Sequence, residues 1–279
     1  MILDGKVVAK NVEETVKMRM EEFNKKYSIK PVFKTLLVGN DPASEIYARS
    51  KIKNMRKFGI DAEIIQMDSN ISTEDLISKI DELNVDKNVH SIMVEMPLPK
   101  HIDRERVIRK IDPVKDTDGQ NPFNLGLLLS GDESHVPSTP MAVIKMLEYH
   151  KIELKGTDVC IINRTQVVGK PLAMLFLNRD STVTVCHSKT KDLNEKTLKS
   201  DIIVVAVGKP KFLIDNMVRE NSTVIDVGIN SIDNKIVGDA DFESISKKAS
   251  ISPVPGGVGA VTTMLITLQV IENAFREIQ

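Results

Sequence analysis

The chain has 279 residues, 41% of them hydrophobic and 28% charged, enough for a real core and a length that favours two domains over one. Its 38 basic and 39 acidic residues nearly cancel, which argues against a long-range field recruiting nucleic acid or an anionic membrane and leaves room for a local phosphate site. The only cysteines, Cys160 and Cys186, lie in apolar, β-branched runs that suit buried thiols in a reducing compartment better than a disulfide framework.

The N-terminus, MILDGKVVAKNVEE, reaches charge too early for the apolar core of a signal peptide, and no run elsewhere reads as long enough to span a bilayer. The expectation is a soluble, cytoplasmic protein. In chain order, a helix is expected near residues 8–26. Strands follow at Val32–Val38, Ala62–Met67 and Ser91–Met96, alternating with helices at 42–58, 73–84 and 103–111. That order implies a parallel sheet with crossover helices. The segment Lys115–Pro140, rich in Asp, Gly, Asn, Pro and Ser, reads as a long crossing loop. A helix over about Met141–His150 leads into a second α/β half with strands at Asp158–Ile162, Thr182–Cys186, Ile202–Ala206 and Thr223–Val227. The final segment, PGGVGAVTTMLITLQVIENAF, starts with glycines and continues as an apolar helix expected to pack back on the first domain.

The fold class is therefore α/β with two domains: an N-terminal domain with a parallel sheet and a C-terminal Rossmann-like domain. The expected boundaries are 1–137, completed by the helix 259–279, and 138–258. In the second domain a strand, DVCII, runs into Asn163-Arg164-Thr165-Gln166-Val167-Val168-Gly169-Lys170-Pro171 and then a helix. Such a turn puts backbone N–H groups and the positive helix end where a pyrophosphate can sit, with Gly169 allowing close approach. Asn163 stands where a dinucleotide fingerprint has its first glycine, so an ordinary βα turn accounts for the motif equally well. The next strand ends Cys186-His187-Ser188-Lys189, without the acid that would take a ribose 2′-hydroxyl. Arg164 and Ser188 can instead meet a 2′-phosphate, which favours NADP with NAD possible; solvated surface cations are the competing reading of Arg164 and Lys189. Gly208 and Gly228 end two further strands, which fits the side of the sheet on which ligands bind, although many glycines at such ends merely turn the chain.

In the first domain Ser44, Tyr47 and Lys51 share one helix face, beside a core stripe of Ala48, Ile52 and Met55. A snorkelling lysine next to a half-buried tyrosine explains that spacing by itself. The segments Ser44-x-x-Tyr47-x-x-x-Lys51, Val94-Glu95-Met96-Pro97-Leu98-Pro99, Lys115-Asp116-Thr117-Asp118-Gly119, Pro137-Ser138-Thr139-Pro140, Arg164–Pro171, Cys186–Thr190 and Pro253-Val254-Pro255-Gly256-Gly257-Val258-Gly259 resemble, in order, the signature blocks of the methylenetetrahydrofolate dehydrogenase/cyclohydrolase family. The resemblance extends from about residue 5 to about 275.

It implies oxidation of methylene-tetrahydrofolate with NADP and hydrolysis of the methenyl product to 10-formyl-tetrahydrofolate. Lys51 would be the central catalytic residue, with Tyr47 packed on the folate, Asp118 bonded to the pterin ring, and Glu95 beside the lysine. Val94, Met96, Pro255, Gly256 and Gly257 would complete the substrate site. Asn163, Arg164, Thr165, Val168, Gly169, His187, Ser188, Val207, Gly208, Gly228 and Ile229 would make the cofactor site. The resemblance also implies a homodimer, formed through the second domain. No metal is required, and no His/Cys/Asp cluster has metal-site spacing.

The departure with chemical consequence is Glu95, where the family pattern has glutamine. A carboxylate there favours charged Lys51 and opposes its use as a base, unless Glu95 takes that role itself or is held protonated, so the hydrolase half-reaction is expected to be the more vulnerable. Asn163, Thr165, Ser138 and Ala260 also depart from the pattern. Three alternatives stand beside the bifunctional reading: a dehydrogenase-only member, a Rossmann dehydrogenase of an amino or hydroxy acid of the glutamate or shikimate type, and a non-catalytic folate or nucleotide binder. Asp118 and the VEMPLP loop argue against the second, and Tyr47, Lys51 and Asp118 against the third.

Overall fold

The computed structural model describes residues 1–233 and 235–278. The chain divides into two compact units: residues 13–127, 132–135 and 266 onward form the first, and residues 1–12, 128–131 and 136–265 the second.

The first unit is built on a three-stranded parallel sheet in the order β2-β1-β3, from β1 (Val32–Val38), β2 (Asp61–Met67) and β3 (Ser91–Val94). Leu36 of β1 is in register with Ile65 on one side and Val94 on the other. Crossovers run through α2 (Pro42–Lys57) and α3 (Thr73–Val85), after the long α1 (Gly5–Lys26). Asp41 starts α2 by accepting the Ser44 amide, with Pro42 in the first turn, and Ser72 and Asp75 start α3 as a reciprocal capping box. Leu36, Val38, Leu76, Ile80, Ile92 and Val107 make its core, Val107 coming from α4 (Arg104–Lys110). β3 stops at Val94, two residues before its expected end. Glu95 N still donates to Leu36 O at 2.9 Å, and the prolines at 97 and 99 have no N–H to carry the ladder further.

The expected 115–140 loop is not structureless: it contains α5 (Pro122–Leu129) and the start of α6 (Ser138–Tyr149). The segment PFNLGLLL is apolar nearly all round, so no period announces it. Pro122 opens the helix, and Asn121 Oδ1 accepts the Phe123 amide at 2.8 Å.

The residues ahead of α5 are inward anchors. Lys115, 1% exposed, donates from Nζ to the carbonyls of Leu83, Asn84 and Asp86 at 3.3, 2.7 and 2.9 Å, at the negative end of α3. Asp116 Oδ2 accepts from Asn121 N at 2.7 Å and Asn124 Nδ2 at 3.0 Å, and Thr117 Oγ1 donates to Ile92 O at 3.0 Å. Asp118, the next residue, is half-buried.

The last helix, α10 (Val258–Ile278), corrects one expectation: among the described residues it is long and apolar enough to cross a bilayer. Much of that apolar surface is used inside the protein, with Val261, Ile266, Val270, Ile271 and Phe275 buried. From 266 it packs in the first unit, Phe275 edge-on to Phe23 at 5.1 Å and Asn273 Nδ2 bonded to Ser91 Oγ at 3.1 Å.

The second unit carries a five-stranded parallel sheet, β10-β7-β6-β4-β5. Its members are β4 (Asp158–Ile162), β5 (Thr182–Cys186), β6 (Ile202–Val205), β7 (Thr223–Asp226) and β10 (Ser250–Ile251), with α6, α7 (Gly169–Leu177), α8 (Leu193–Lys199) and α9 (Phe242–Ile245). An antiparallel pair, β8 (Asn230–Ile232) with β9 (Lys235–Val237), is too short for periodicity to reveal. Leu3 N donates to Ile251 O at 2.9 Å, which ties the N-terminus to the β10 edge and places residues 1–12 in this unit. From β4 the chain winds one way to β5 and the other way to β6, so the carboxyl ends of β4 and β6 form the topological switch point where such sheets bind ligands.

Burial pushes the Asp116 carboxyl from its usual range up to about 6, with the charge of Asp118 adding to the effect. A raised acid stabilises the fold when protonated, fully below its unfolded value, and loses that contribution as pH rises through 6. Linkage gives wild type about 1 kcal/mol on going from pH 7.5 to 5 that the non-titrating Asp116→Asn variant lacks. Urea unfolding of both proteins at the two pH values measures it. Asp226, also raised to about 6, is present in both and cancels. A variant-minus-wild-type difference that stays constant across this range refutes the assignment.

Candidate active site and cofactor site

Lys51 is more deeply buried than its place at the edge of the apolar stripe suggests, at 1% exposure, alongside buried Ala48, Ile52 and Met55. Its Nζ donates to both carboxylate oxygens of Glu95, at 2.7 and 2.8 Å, with Glu95 itself 4% exposed. Thr35 Oγ1 donates to Glu95 Oε1 at 2.8 Å, and Met93 Sδ lies 3.4 Å from Nζ. The Tyr47 ring covers the ammonium at 4.7 Å, a cation–π distance, while the tyrosine stays 41% exposed. Neither Thr35 nor Met93 was legible as a site residue, because β-strand register brings them to the lysine.

Two further contacts fix this arrangement. Ser44 Oγ donates to Asp41 at 2.6 Å and approaches Met96 O at 3.2 Å, joining the start of α2 to the strand end that carries Val94, Glu95 and Met96. Asp118 accepts from Gln120 Nε2, and Gln120 Oε1 accepts from Arg104 at 2.6 Å, so the carboxylate is held by a side-chain chain that spacing did not suggest. The first unit thus supplies Tyr47, Lys51, Glu95 and Asp118.

Pro255, Gly256 and Gly257 belong to the second unit, where they line a cavity of about 170 Å³ with Gly228 and Ile229. Gly256 sits at φ +99°, and a Cβ on Gly257 would lie 2.4 Å from Pro253 O, so both positions require glycine.

A second cavity, about 280 Å³, opens at the switch point. Asn163, Arg164, His187, Ser188 and Val207 line it together with Leu193, Lys209 and Phe212, which sequence reasoning missed. Two cations, a hydroxyl and an apolar slot fit an adenosine carrying a 2′-phosphate, and no acid ends β5. The expected pyrophosphate cradle is a different matter. Asn163 Oδ1 accepts the amides of Thr165 and Gly169 at 2.8 and 2.9 Å, Thr165 Oγ1 accepts Val168 N at 3.2 Å, and Lys170 N bonds Thr165 O at 3.0 Å. These amides are already bonded inside the turn. Asn163 acts there as an internal clamp, and Thr165, Val168 and Gly169 build the turn without lining the cavity.

A cation-lined cavity at the switch point of a doubly wound sheet, with a buried lysine–carboxylate pair in a separate unit, defines a nucleotide-dependent α/β enzyme. Comparison with known proteins makes this specific. Family models described as tetrahydrofolate dehydrogenase/cyclohydrolase, catalytic domain and NAD(P)-binding domain, match residues 3–118 and 137–278. The chain belongs to the tetrahydrofolate dehydrogenase/cyclohydrolase family. It is 44% identical over 274 residues to the bifunctional protein FolD of a Nitratiruptor species, covering 98% of this chain and 97% of the relative. The crystal structure of a bifunctional methylenetetrahydrofolate dehydrogenase/cyclohydrolase from Campylobacter jejuni superposes with a TM-score of 0.95 at 40% identity, covering 99% of each chain. A methylenetetrahydrofolate dehydrogenase-cyclohydrolase from Trypanosoma brucei, complexed with NADP and an inhibitor, gives 0.95 at 32% identity, covering 100% of this chain and 98% of that one.

A Cβ on Gly169 would lie 2.1 Å from the Asn163 carbonyl oxygen and 2.8 Å from Arg164 N, backbone atoms that cannot rotate away. Gly169→Ala is expected to cost about 1–3 kcal/mol and to weaken NADP binding, because Arg164 must shift with the turn. Gly126→Ala in α5, where nothing lies within 4 Å, serves as the control and should be neutral or stabilising. Unfolding and NADPH fluorescence titration check both; equal behaviour of the two variants would contradict the packing argument.

Proposed function

We propose that this protein oxidises 5,10-methylenetetrahydrofolate to the methenyl form with NADP and hydrolyses that product to 10-formyltetrahydrofolate, with Lys51 at the centre of both steps. The observation that carries the reading is the Lys51 ammonium held at 2.7 and 2.8 Å by Glu95 and covered by Tyr47. The exposed part of the Tyr47 ring offers a face for the pterin or p-aminobenzoyl ring, and Asp118 accepts hydrogen bonds from the pterin's amino and ring nitrogens.

Hydride leaves the methylene carbon while the five-membered ring stays closed, the two ring nitrogens sharing the positive charge that develops, and Lys51 Nζ, held by Glu95, is a donor placed to orient the folate for that transfer. NADP, when bound, supplies a nicotinamide that accepts hydride from the one-carbon unit. Arg164 and Ser188 would hold its 2′-phosphate, with Lys209 adding charge to the same cavity. In hydrolysis a proton must leave the water that adds to the methenyl carbon, and the ring nitrogen must gain one as its bond to that carbon breaks. An amine able to accept the first proton has to be released from the Glu95 ion pair at an electrostatic cost, so hydrolysis is the half-reaction that Glu95 restrains.

Following methenyl-tetrahydrofolate by its absorbance, in formation with NADP and in disappearance, tests both steps. Lys51→Met should lower each by at least about a hundredfold, the scale of a misplaced substrate or of a lost general acid–base group. Glu95→Gln should raise hydrolysis relative to oxidation severalfold. Formation without hydrolysis in wild type would establish a dehydrogenase-only enzyme, and a Glu95→Gln variant that loses hydrolysis would make Glu95 itself the base.

A cytoplasmic homodimer completes the proposal. Cys160 and Cys186 are buried free thiols, which suits a reducing compartment. Among the described residues β5 is an edge strand paired only with β4, and its Val185 is 38% exposed, an edge suited to a second copy. Sedimentation equilibrium should return twice the 31.1 kDa chain mass.

A further inference from the structure

Two buried carboxylates below the switch point have no part in the chemistry above. Asp239 is fully buried and Asp226 is 3% exposed. Asp239 Oδ2 accepts the amides of Val207 and Gly208, the latter at 2.9 Å, while Oδ1 accepts Lys209 N and Asn230 Nδ2, each at 2.8 Å. Four donors saturate the carboxylate, and three are consecutive backbone N–H groups of the loop after β6. Gly208 lies at φ +66°, a conformation that lets neighbouring amides converge on one anion.

Asp226, at the end of β7, holds Asp239 in turn. Its Oδ1 accepts Gly228 N and Asp239 N, each at 2.9 Å, and its Oδ2 accepts Ala240 N at 2.8 Å. Two glycines make room: a Cβ on Gly228 would lie 2.2 Å from the Asp239 carboxyl carbon, and one on Gly238 would lie 1.9 Å from Asp226 Oδ2. The loop so held carries Val207 and Lys209, which line the cavity together with Arg164 and Ser188.

We infer that Asp239 is a positioning residue for the cofactor: by gathering the amides of Val207, Gly208 and Lys209, and itself seated by Asp226, it sets the wall of the cavity that receives the nucleotide. The inference rests on the reading of that cavity as the NADP site. An uncharged amide cannot do the same work, since asparagine offers one acceptor oxygen, and its NH₂ group would face N–H donors of the loop.

Asp239→Asn should therefore raise the KM for NADP at least tenfold and weaken NADPH binding, followed by its fluorescence, to the same degree. The KM for the folate substrate should stay within twofold, a split that general destabilisation would not give. Unchanged NADP affinity overturns the inference. Should the variant fail to fold, hydrogen exchange in wild type decides: the three loop amides should exchange slowly before any nucleotide is added, and exchange at free-loop rates overturns it. Wild-type titration comes first. Absent binding there removes the reading of the cavity and this inference together, whereas binding unchanged in the variant removes the inference alone.

Discussion

The constraint on which the first unit turns is that Lys51 and Glu95 are both out of water. Desolvating two ions costs several kcal/mol each, and their attraction offsets that cost only if the geometry is close and the remaining oxygens and protons are satisfied. Here the lysine meets both carboxylate oxygens, Thr35 completes Glu95, and the Tyr47 face and Met93 sulfur cover the ammonium. Such an arrangement tolerates little movement of α2 against the end of β3. Asp41 and Ser44 supply that restraint, because the cap that starts α2 also reaches the Met96 carbonyl. Helix initiation and site geometry therefore share the same residues.

Elsewhere the protein uses buried charge in a second way, to fix loops by backbone hydrogen bonds. Lys115 gathers carbonyls at the end of α3, Asp116 gathers donors ahead of α5, and Asp226 and Asp239 gather amides beyond β6 and β7. A charged group bonded to several backbone partners holds a loop more firmly than a neutral one, since charge-assisted bonds are roughly twice as strong. The cost is visible in Asp116 and Asp226, which burial pushes up to about 6. Loop precision at neutral pH is maintained against a standing penalty in stability.

Much of this was legible before any coordinates. Crossover helices such as α3 came through because each buries a periodic stripe, and strands because short β-branched runs, buried almost throughout in β4, β6 and β7, stand between turn residues; β1, β4 and β5 fall where those runs end. The family blocks pointed to Tyr47, Lys51, Glu95 and Asp118, which lie in one unit. What stayed hidden shares a physical reason. α5 is apolar nearly all round and has no period; β8, β9 and β10 are too short to have one; and Thr35, Lys209, Gln120 and Asp239 gain their roles from register and tertiary contact across long stretches of chain. α10 shows the converse error, where a run mixed enough to pass as a short apolar stretch satisfies the length and composition of a bilayer span, yet packs Phe275 and Val270 inside the protein.

Motif position and motif function also separate. In Lys115-Asp116-Thr117-Asp118-Gly119 the first three residues point inward and bond the scaffold, so Asp118 alone of the first four is left beside the solvent-accessible surface. In the turn 163–171, Asn163 takes the amides of Thr165 and Gly169, so two of the amides that made the motif resemble a phosphate cradle hold the turn's own shape. On the proposed reading, recognition of the nucleotide shifts from helix-end amides to side chains, Arg164 and Lys209, and to a loop whose amides Asp239 has already claimed. A site built this way binds through side-chain charge and shape. Its selectivity for a 2′-phosphate follows from which cations reach the cavity more than from the fold that carries them.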